Sequence, residues 1–216
     1  MQRETHHLLM PKLLLIIACV GAFLGIISDC LLLWSSTAYF DIEALSYLGS
    51  MPPQNMRLGN FLGVTAIPLE FLALFAFIKP GEKLAGQQLV FIVLALYMLV
   101  FGVLFHSHLL IQHEFMAKEI PLAMTLEAME YYKAMVGLGF ATAGLFIVLG
   151  IWKQWLRLPR WSILLSPLVT YLFWLILNEV YPPIGNVLLL AGLNLSMLIF
   201  FVCSIFLLPN STKTTA

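Results

Sequence analysis

Three ionisable side chains, Asp29, Glu70 and His106, interrupt otherwise apolar runs of this sequence. A charged group inside an apolar run is costly, so such a residue usually marks a functional site or an internal hydrogen-bond network. Carboxyl and imidazole groups that meet can exchange protons, which is the chemistry of general acid–base catalysis. Glu70 and Asp29 are therefore candidate catalytic acids or bases, and His106 is their candidate partner.

Further polar side chains in or beside the apolar runs are candidates for binding a ligand. In the fifth run Ser166, Thr170, Trp174 and Asn178 follow one another at four-residue spacing. This spacing places all four residues on one helical face. The candidate ligand-binding residues are Arg57, His108, Trp174, Asn178, Asn186 and Asn194.

These residues also have a purely structural interpretation. Asp29 can pair with Arg57 across a loop, and His108 and His113 can be interfacial side chains with solvated tips. The buried polar groups would then only hold the helices in register, through interhelical hydrogen bonds worth about 0.6 to 2 kcal/mol each.

A metal site is a weaker alternative. His106 and His113 share a helical face but stand about 10 Å apart along the axis, given a rise of 1.5 Å per residue. Because a catalytic zinc site typically has three protein ligands, His106 with Asp29 would need a third ligand from another helix. No phosphate loop, nucleophile elbow, H-E-x-x-H or haem-attachment motif occurs, so we expect no cofactor.

The composition is that of a membrane protein. Hydrophobic residues make up 61% of the chain and charged residues 10%, with a mean hydropathy of +0.95, whereas soluble domains carry roughly 25% charged residues. The net charge is zero and Lys plus Arg number only 11, so we expect no nucleic-acid partner. The cysteines Cys19, Cys30 and Cys203 lack metal-ligand spacing. We therefore expect them to pack as small apolar residues.

Six apolar runs approach the length of about 20 residues that a helix needs to cross a membrane. The sequence therefore predicts an all-α polytopic transmembrane bundle of six helices. Residues 1–208 form one transmembrane domain in this interpretation, and residues 209–216 form a polar C-terminal tail. The predicted spans are Leu13–Trp34, Gly59–Ile78, Leu84–Leu110, Ala134–Trp152, Trp161–Asn178 and Ile184–Leu208.

The basic residues predict the orientation of the bundle, since cytoplasmic connections carry an excess of Lys and Arg. Eight of these residues lie on the side of the termini and three on the other side. We therefore expect a cell-membrane protein with both termini in the cytoplasm. The residues on the side of the termini are Arg3, Lys12, Lys79, Lys83, Lys153, Arg157, Arg160 and Lys213, and those opposite are Arg57, Lys118 and Lys133.

Two outer connections contain helical patterns bounded by proline. Asp41 is positioned to cap a short helix that continues to Leu48. In the second connection, the pattern that begins at Thr125 leads straight into the fourth span. We expect short interfacial helices in both connections.

Small residues lead up to the acidic ones. Gly21 and Gly25 precede Asp29 at four-residue spacing, and Gly63 precedes Glu70 by seven residues. Such stripes let a second helix approach closely. With a rise of 1.5 Å per residue, Asp29 lies within about two turns of the outer boundary and Glu70 lies nearer the middle. The sequence thus predicts a polar cavity in the outer half of the bundle.

Several short motifs follow one another along the chain: Gly25-x-x-Ser28-Asp29, Arg57-Leu58, Pro182-Pro183-x-Gly185, Gly192-x-Asn194 and Phe200-Phe201-x-x-Ser204. This order resembles an uncharacterised family of bacterial six-span integral membrane proteins. The resemblance implies an integral-membrane fold and no particular activity. An Asp and a His near one membrane face are also loosely similar to alkaline ceramidase-type membrane hydrolases, although this chain lacks the H-x-x-x-H spacing of those enzymes.

Three classes of function follow. In the first, the protein binds or processes a lipid or small amphiphile, with Asp29, Glu70, His106 and Asn194 around the polar head. In the second, it is a proton-coupled carrier in which Glu70 alternates between protonated and charged forms. In the third, it is a noncatalytic membrane assembly partner. The expected partners are membrane lipids and the amphiphile, and assembly into a homo-oligomer stays open.

Overall fold

The computed structural model describes residues 2–33, 51–79, 85–117, 122–182 and 191–208. Every regular element in these ranges is a helix, which confirms the all-α prediction for this part of the chain. The α-helices are α1 (Gln2–Leu33), α2 (Pro53–Phe71), α3 (Ala73–Ala76), α4 (Ala85–Leu96), α5 (Val103–Ala117), α6 (Leu122–Trp152), α7 (Pro167–Val180) and α8 (Gly192–Leu207). A π-helical turn, Tyr97–Gly102, joins α4 to α5, and a 3-10 helix, Arg160–Leu165, precedes α7.

Two helical segments, Met10–Leu32 and Pro53–Ala76, are long and apolar enough to cross a membrane. The other apolar helices are shorter and cover Ala85–Val100, Gly137–Trp152, Pro167–Val180 and Gly192–Leu207. All of these segments fall within or overlap the predicted spans. Helix length by itself therefore establishes two membrane-capable helices, fewer than the six spans that the sequence predicts.

Prolines set the start of two helices. Pro53 and Pro167 occupy the first turns of α2 and α7, where the missing N–H has no intrahelical partner to lose. A residue before proline is restricted to extended conformations, and Ser166 has φ −62° and ψ 147°. The helix of the fifth span consequently begins at Pro167, and not at Trp161 as the apolar pattern predicts.

The fourth span continues the outer segment before it without a break. One helix, α6, runs from Leu122 to Trp152, as the pattern beginning at Thr125 predicts. This outer segment is therefore the first part of α6 and not a separate interfacial helix. The predicted helix between Asp41 and Leu48 and the tail at 209–216 lie outside the described residues.

The helices pack as a ring in chain order. Helix α1 contacts α2, α2 contacts α5 and the π-helical turn, α4 contacts α6, α6 contacts α7, and α7 contacts α8. Helix α8 then returns to α1, which closes the ring. Residues on the inward faces of all these helices can therefore meet, although they are distant in sequence.

Glycines in α1 permit the closest of these approaches. A Cβ atom on Gly21 would lie 2.8 Å from the carbonyl oxygen of Ala66, and one on Gly25 would lie 2.5 Å from the side chain of Asn194. The backbone of α2 and a side chain of α8 thus occupy the space that a larger residue would fill. The predicted role of the glycine stripe in close packing is confirmed.

Apolar side chains fill the half of the ring that contains residues 15–22 of α1. We call it the inner half, because it is predicted to face the cytoplasm. Rings of Phe77 and Phe200 stack at 5.4 Å between centroids, and Phe201 follows at 6.2 Å from Phe200. The other large buried apolar side chains of this half are Leu15, Val90, Leu94, Ile147, Ile151, Leu156, Leu158 and Leu208.

The outward faces of the helices are apolar as well. On α1, Leu13, Ile16, Val20 and Phe23 follow at helical spacing and are each about half exposed, at 50 to 55%. Other exposed apolar side chains are Phe61, Leu89, Ile92, Leu138, Leu145, Phe173, Ile176 and Phe206. A helix of a soluble protein shows the opposite pattern, with polar residues outside.

Candidate ligand-binding site

A hydrogen bond between α1 and α8 forms the centre of the candidate site. The Nδ2 group of Asn194 donates to Oδ2 of Asp29 at 2.7 Å, and Asp29 is only 5% exposed. Gly25 lies one turn before Asp29 and leaves room for the Asn194 side chain. The structure therefore brings two of the predicted site residues into direct contact, with an amide donor serving a buried carboxyl oxygen.

Glu70 is a second buried carboxyl group, in the last turn of the neighbouring helix α2. Its side chain is 6% exposed, and its Oε1 atom has no hydrogen-bond partner among the described residues. Gly21 of α1 packs against the backbone of Glu70, so Glu70 lies at the contact between α1 and α2. Buried polar atoms nearly always have a partner, so Oε1 is an acceptor that a bound donor can satisfy.

The antiparallel packing of α1 and α2 places both carboxyl groups along the contact between these two helices. Gly21 lies against Glu70 at one level, and the Ser28 hydroxyl donates to the Gly59 carbonyl at 2.7 Å at another. Side chains lean toward the N-terminus of their own helix. Asp29 and Glu70, on helices of opposite direction, therefore lean toward each other.

Aromatic rings from three other elements contact one another inside the ring of helices. Ring centroids are 6.2 Å apart for Tyr97 and Phe140 and 5.0 Å apart for Phe140 and Tyr171. We call Tyr97, Phe140 and Tyr171 the aromatic wall of the site.

Tyr97 belongs to the π-helical turn of residues 97–102. Such turns add one residue to a helix and frequently occur at functional sites. Tyr97 is the first residue of this turn and follows directly after α4. Together, the carboxyl groups, Asn194 and the aromatic wall involve α1, α2, the π-helical turn, α6, α7 and α8.

Trp174 holds α8 in place against α7. Its Nε1 group donates to Oγ of the fully buried Ser196 at 3.0 Å. A Cβ atom on Gly192 would lie 3.3 Å from the Tyr171 ring and 3.6 Å from Trp174. The only N–H of the Trp174 side chain thus donates to α8, the helix that carries Asn194, and the ligand-binding role of Trp174 stays a prediction.

The remaining candidates lie elsewhere or are unpaired. Asn178 is half-buried, and its Oδ1 atom has no partner among the described residues. Arg57 is exposed on α2, and no ion pair between it and Asp29 occurs in the described structure. The alternative in which Arg57 neutralises Asp29 is therefore wrong for this arrangement.

The histidines differ in their surroundings. His113 is 5% exposed, and its Nε2 group hydrogen bonds to the Met51 carbonyl at 3.1 Å, so the expectation of a solvated tip at this position is wrong. His108 is half-buried. The side chain of His106 and the whole of Asn186 lie outside the described residues, and their predicted roles stay predictions.

The described part of the chain contains no group of three His, Cys, Asp or Glu side chains close enough together to hold a metal ion. Asp29 contributes a single carboxylate, and its close contact is the Asn194 amide. The weak candidate of His106 with Asp29 stays a prediction, because the His106 side chain is not among those described.

Comparison with known proteins places the chain in a family without assigned activity. Residues 7–211 match the model of DUF6796, a family of unknown function. The chain belongs to this family. No curated protein and no solved structure is significantly similar to it. The expectation of an uncharacterised family is thus confirmed, and the match carries no information on bacterial origin, span number or the ceramidase-type likeness.

Sequence reasoning does not find the aromatic wall in this DUF6796 chain. Tyr97, Phe140 and Tyr171 stand in apolar runs with many other aromatic residues, and nothing local distinguishes those that face inward. A weak signal exists for the tyrosines, since a buried tyrosine hydroxyl usually needs a hydrogen-bond partner. Ser196 is a further omission, and its position two residues after Asn194 is its only sequence signal.

Proposed function

We propose that this protein is a multi-pass membrane protein that binds a lipid or small amphiphile at the Asp29, Asn194 and Glu70 side chains. The observation that carries the proposal is the Oε1 atom of Glu70, a buried oxygen with no described partner on the helix next to that of the hydrogen-bonded Asp29. Leaving such a group unpaired costs about 1 to 3 kcal/mol. A ligand that donates a hydrogen bond there would recover this energy.

Membrane location is supported by the apolar exterior of the ring. Two segments, Met10–Leu32 and Pro53–Ala76, have the length and hydropathy of membrane spans, and large contiguous apolar surfaces indicate a membrane or partner surface. The other helices pack in the same ring and expose similar apolar faces. We therefore propose that all six predicted spans cross the cell membrane, with both termini in the cytoplasm.

Amphiphile binding accounts for the interior better than proton-coupled transport. A carrier needs an access path to both sides, whereas the inner half of the ring is packed with apolar side chains such as Phe77, Phe200 and Phe201. The site is thus closed toward the predicted cytoplasmic side. A polar head would sit at the carboxyl groups, and an apolar tail would extend between helices into the lipid.

A noncatalytic assembly role accounts for less of the site. If the polar residues only registered the helices, their buried atoms would pair with one another. The Asp29–Asn194 and Trp174–Ser196 hydrogen bonds fit this description, but Oε1 of Glu70 does not. The unpaired oxygen favours a ligand.

A reaction on the bound amphiphile extends the same proposal. Glu70 or Asp29 would transfer protons as general acid or base, and His106 would complete a hydrolytic or acid–base centre for a lipid-like substrate. An activity assay of a variant with His106→Ala distinguishes this extension from binding alone, because ligand retention should survive the substitution and turnover should not.

The test of binding is native mass spectrometry of the full chain purified in native lipid. Wild-type protein should retain an amphiphile of defined mass, and the Glu70→Gln and Asp29→Asn variants should lose most of it. Glu179→Gln is the matched control, because Glu179 is exposed on α7. Equal occupancy in all four proteins, with equal thermal stability, would refute binding at this site.

A further inference from the structure

The segment that follows α6 concentrates positive charge. Lys153, Arg157 and Arg160 lie within residues 153–160, which we call the basic connection, and the chain contains no Asp or Glu between residues 131 and 178. The first and third of these side chains are exposed and the second is half-buried. No ion pair joins any of the three to a described acidic residue. The basic connection therefore presents a positive charge that its own part of the chain does not neutralise.

Hydrogen bonds within the basic connection fix its backbone. Gln154 has a φ of 57°, in the left-handed region, and its Nε2 group donates to the carbonyl oxygens of Ile151 at 2.8 Å and Leu158 at 3.0 Å. The Ser162 hydroxyl donates to the Pro159 carbonyl at 2.7 Å. The backbone that carries the three basic residues is thus preorganised, so a ligand bound there orders little more than their side chains.

A second part of the chain adds basic charge beside this connection. The backbone N–H of Arg157 donates to the carbonyl of Phe77 at 3.1 Å, and Lys79 follows Phe77 by two residues and is half-buried. The Trp155 ring packs against Gly86 in the first turn of α4. Basic residues from two connections therefore lie at one end of the ring, where their potentials add.

Exposed tryptophans flank the basic connection on both sides. Trp152 directly precedes it and is 60% exposed, and Trp161 directly follows it and is 56% exposed. Tryptophan side chains are enriched at the level of the lipid headgroups, because one end of the indole ring is apolar and the other carries an N–H. The exposed apolar side chains of Leu145 on α6 and Leu164 in the 3-10 helix continue from the two tryptophans.

We infer that the basic connection binds the phosphate group of an anionic lipid. The guanidinium groups of Arg157 and Arg160 pair with the phosphate oxygens, and the exposed tryptophan and leucine side chains contact the acyl chains. Clusters of Lys and Arg at the ends of membrane helices attract anionic lipids in this way. The inference rests on the proposed membrane location, and it assigns a second site at the inner end of the ring, where Leu156 and Leu158 join the apolar core.

The test is a lipid titration of the full chain in an uncharged maltoside detergent, followed by native mass spectrometry. The two lipids are phosphatidylglycerol, which is anionic, and phosphatidylcholine, which is zwitterionic, with identical acyl chains. Phosphatidylglycerol should bind at least about tenfold more tightly, which corresponds to about 1.4 kcal/mol. Glycerol phosphate, which has the phosphate group but no acyl chains, should not displace it at equal concentration.

Variants locate the anionic lipid. Arg157→Gln and Arg160→Gln should each lower the affinity for phosphatidylglycerol about fivefold, the equivalent of about 1 kcal/mol, and leave that for phosphatidylcholine unchanged. Arg57→Gln is the matched control, because Arg57 is exposed near the start of α2, and it should preserve both affinities. The lipid preference of the wild-type protein needs no substitution, so it tests the inference even if a variant does not fold.

Three outcomes would overturn the inference. Equal affinity for the two lipids would show that the basic connection selects no anionic headgroup. Displacement by glycerol phosphate at equal concentration would mean that phosphate alone is recognised, and an equal loss in Arg57→Gln would place the effect elsewhere. None of these outcomes bears on the amphiphile retained from native lipid, whose loss in Glu70→Gln and Asp29→Asn tests the proposed function separately.

Discussion

At the scale of single residues, the Asn194 amide is the group that makes a buried Asp29 tolerable. It supplies the described hydrogen bond to the carboxyl group from a helix at the other end of the chain. A lone buried carboxyl without that donor would have to bear its full desolvation cost. The pair is therefore the point at which site and stability depend on the same contact.

Replacement of Asn194 by Leu should lower the free energy of unfolding by about 1 to 3 kcal/mol, because it leaves the buried Asp29 oxygen without its donor. Thermal unfolding in detergent measures the loss. The double variant Asp29→Leu with Asn194→Leu is the control and should recover most of the stability, since it removes both polar partners. Full stability of the single variant would show that this hydrogen bond contributes nothing.

At the scale of elements, the distance between α1 and α8 depends on the absence of a side chain at Gly25. A single Cβ there meets Asn194, and α8 carries both Asn194 and the Ser196 hydroxyl that Trp174 binds. The site is consequently sensitive to helix spacing as well as to its own polar groups.

Gly25→Ala should destabilise the protein and reduce retention of the native amphiphile, because the new methyl group pushes Asn194 away from Asp29. Gly137→Ala on α6 is the matched control. No other described residue has an atom within 4 Å of its Cβ position, so it should stabilise the helix by about 0.5 to 1 kcal/mol. Thermal unfolding and native mass spectrometry report the two effects. Similar behaviour of both variants would contradict the close-approach argument.

At the scale of the whole molecule, the ring combines a polar group of residues above with a packed apolar half below. Phe201 is 1% exposed in that half, while Phe206 on the same helix is 81% exposed. The same substitution at these two phenylalanines therefore compares a buried position with an exposed position on one helix.

Phe201→Ala should lower the free energy of unfolding by about 3 to 5 kcal/mol, the usual cost of an aromatic side chain lost from a core. Phe206→Ala should change it by about 0.5 kcal/mol or less, as surface substitutions do. Chemical denaturation in detergent provides both values. Equal losses would mean that the inner half is not a packed core.

The proposed orientation of the ring can be tested by labelling. In a background without Cys19, Cys30 and Cys203, Gln54→Cys should react with an impermeant maleimide on intact cells. Lys153→Cys should react only after permeabilisation, because it lies on the side with the excess of basic residues. Both positions are exposed at helix ends. The reverse pattern would invert the topology.

The sequence alone determines that the chain is helical and apolar and that Asp29, Glu70 and Asn194 are exceptional. The polar residues stand out because each interrupts an apolar run, which the sequence shows without any knowledge of spatial contacts. The glycine stripe in α1 is legible for the same reason. The sequence predicts only some of the helix starts. At Pro167 the helix begins later than the apolar pattern predicts.

Only the tertiary structure decides which partners these residues meet. Asp29 has a plausible cation nearby in sequence at Arg57, yet its donor is Asn194, 165 residues away. The aromatic wall is likewise undetermined locally, since its three rings come from the π-helical turn, α6 and α7 and meet only when these elements pack together. An apolar helix looks alike toward lipid and toward protein, and only packing between helices distinguishes the two faces.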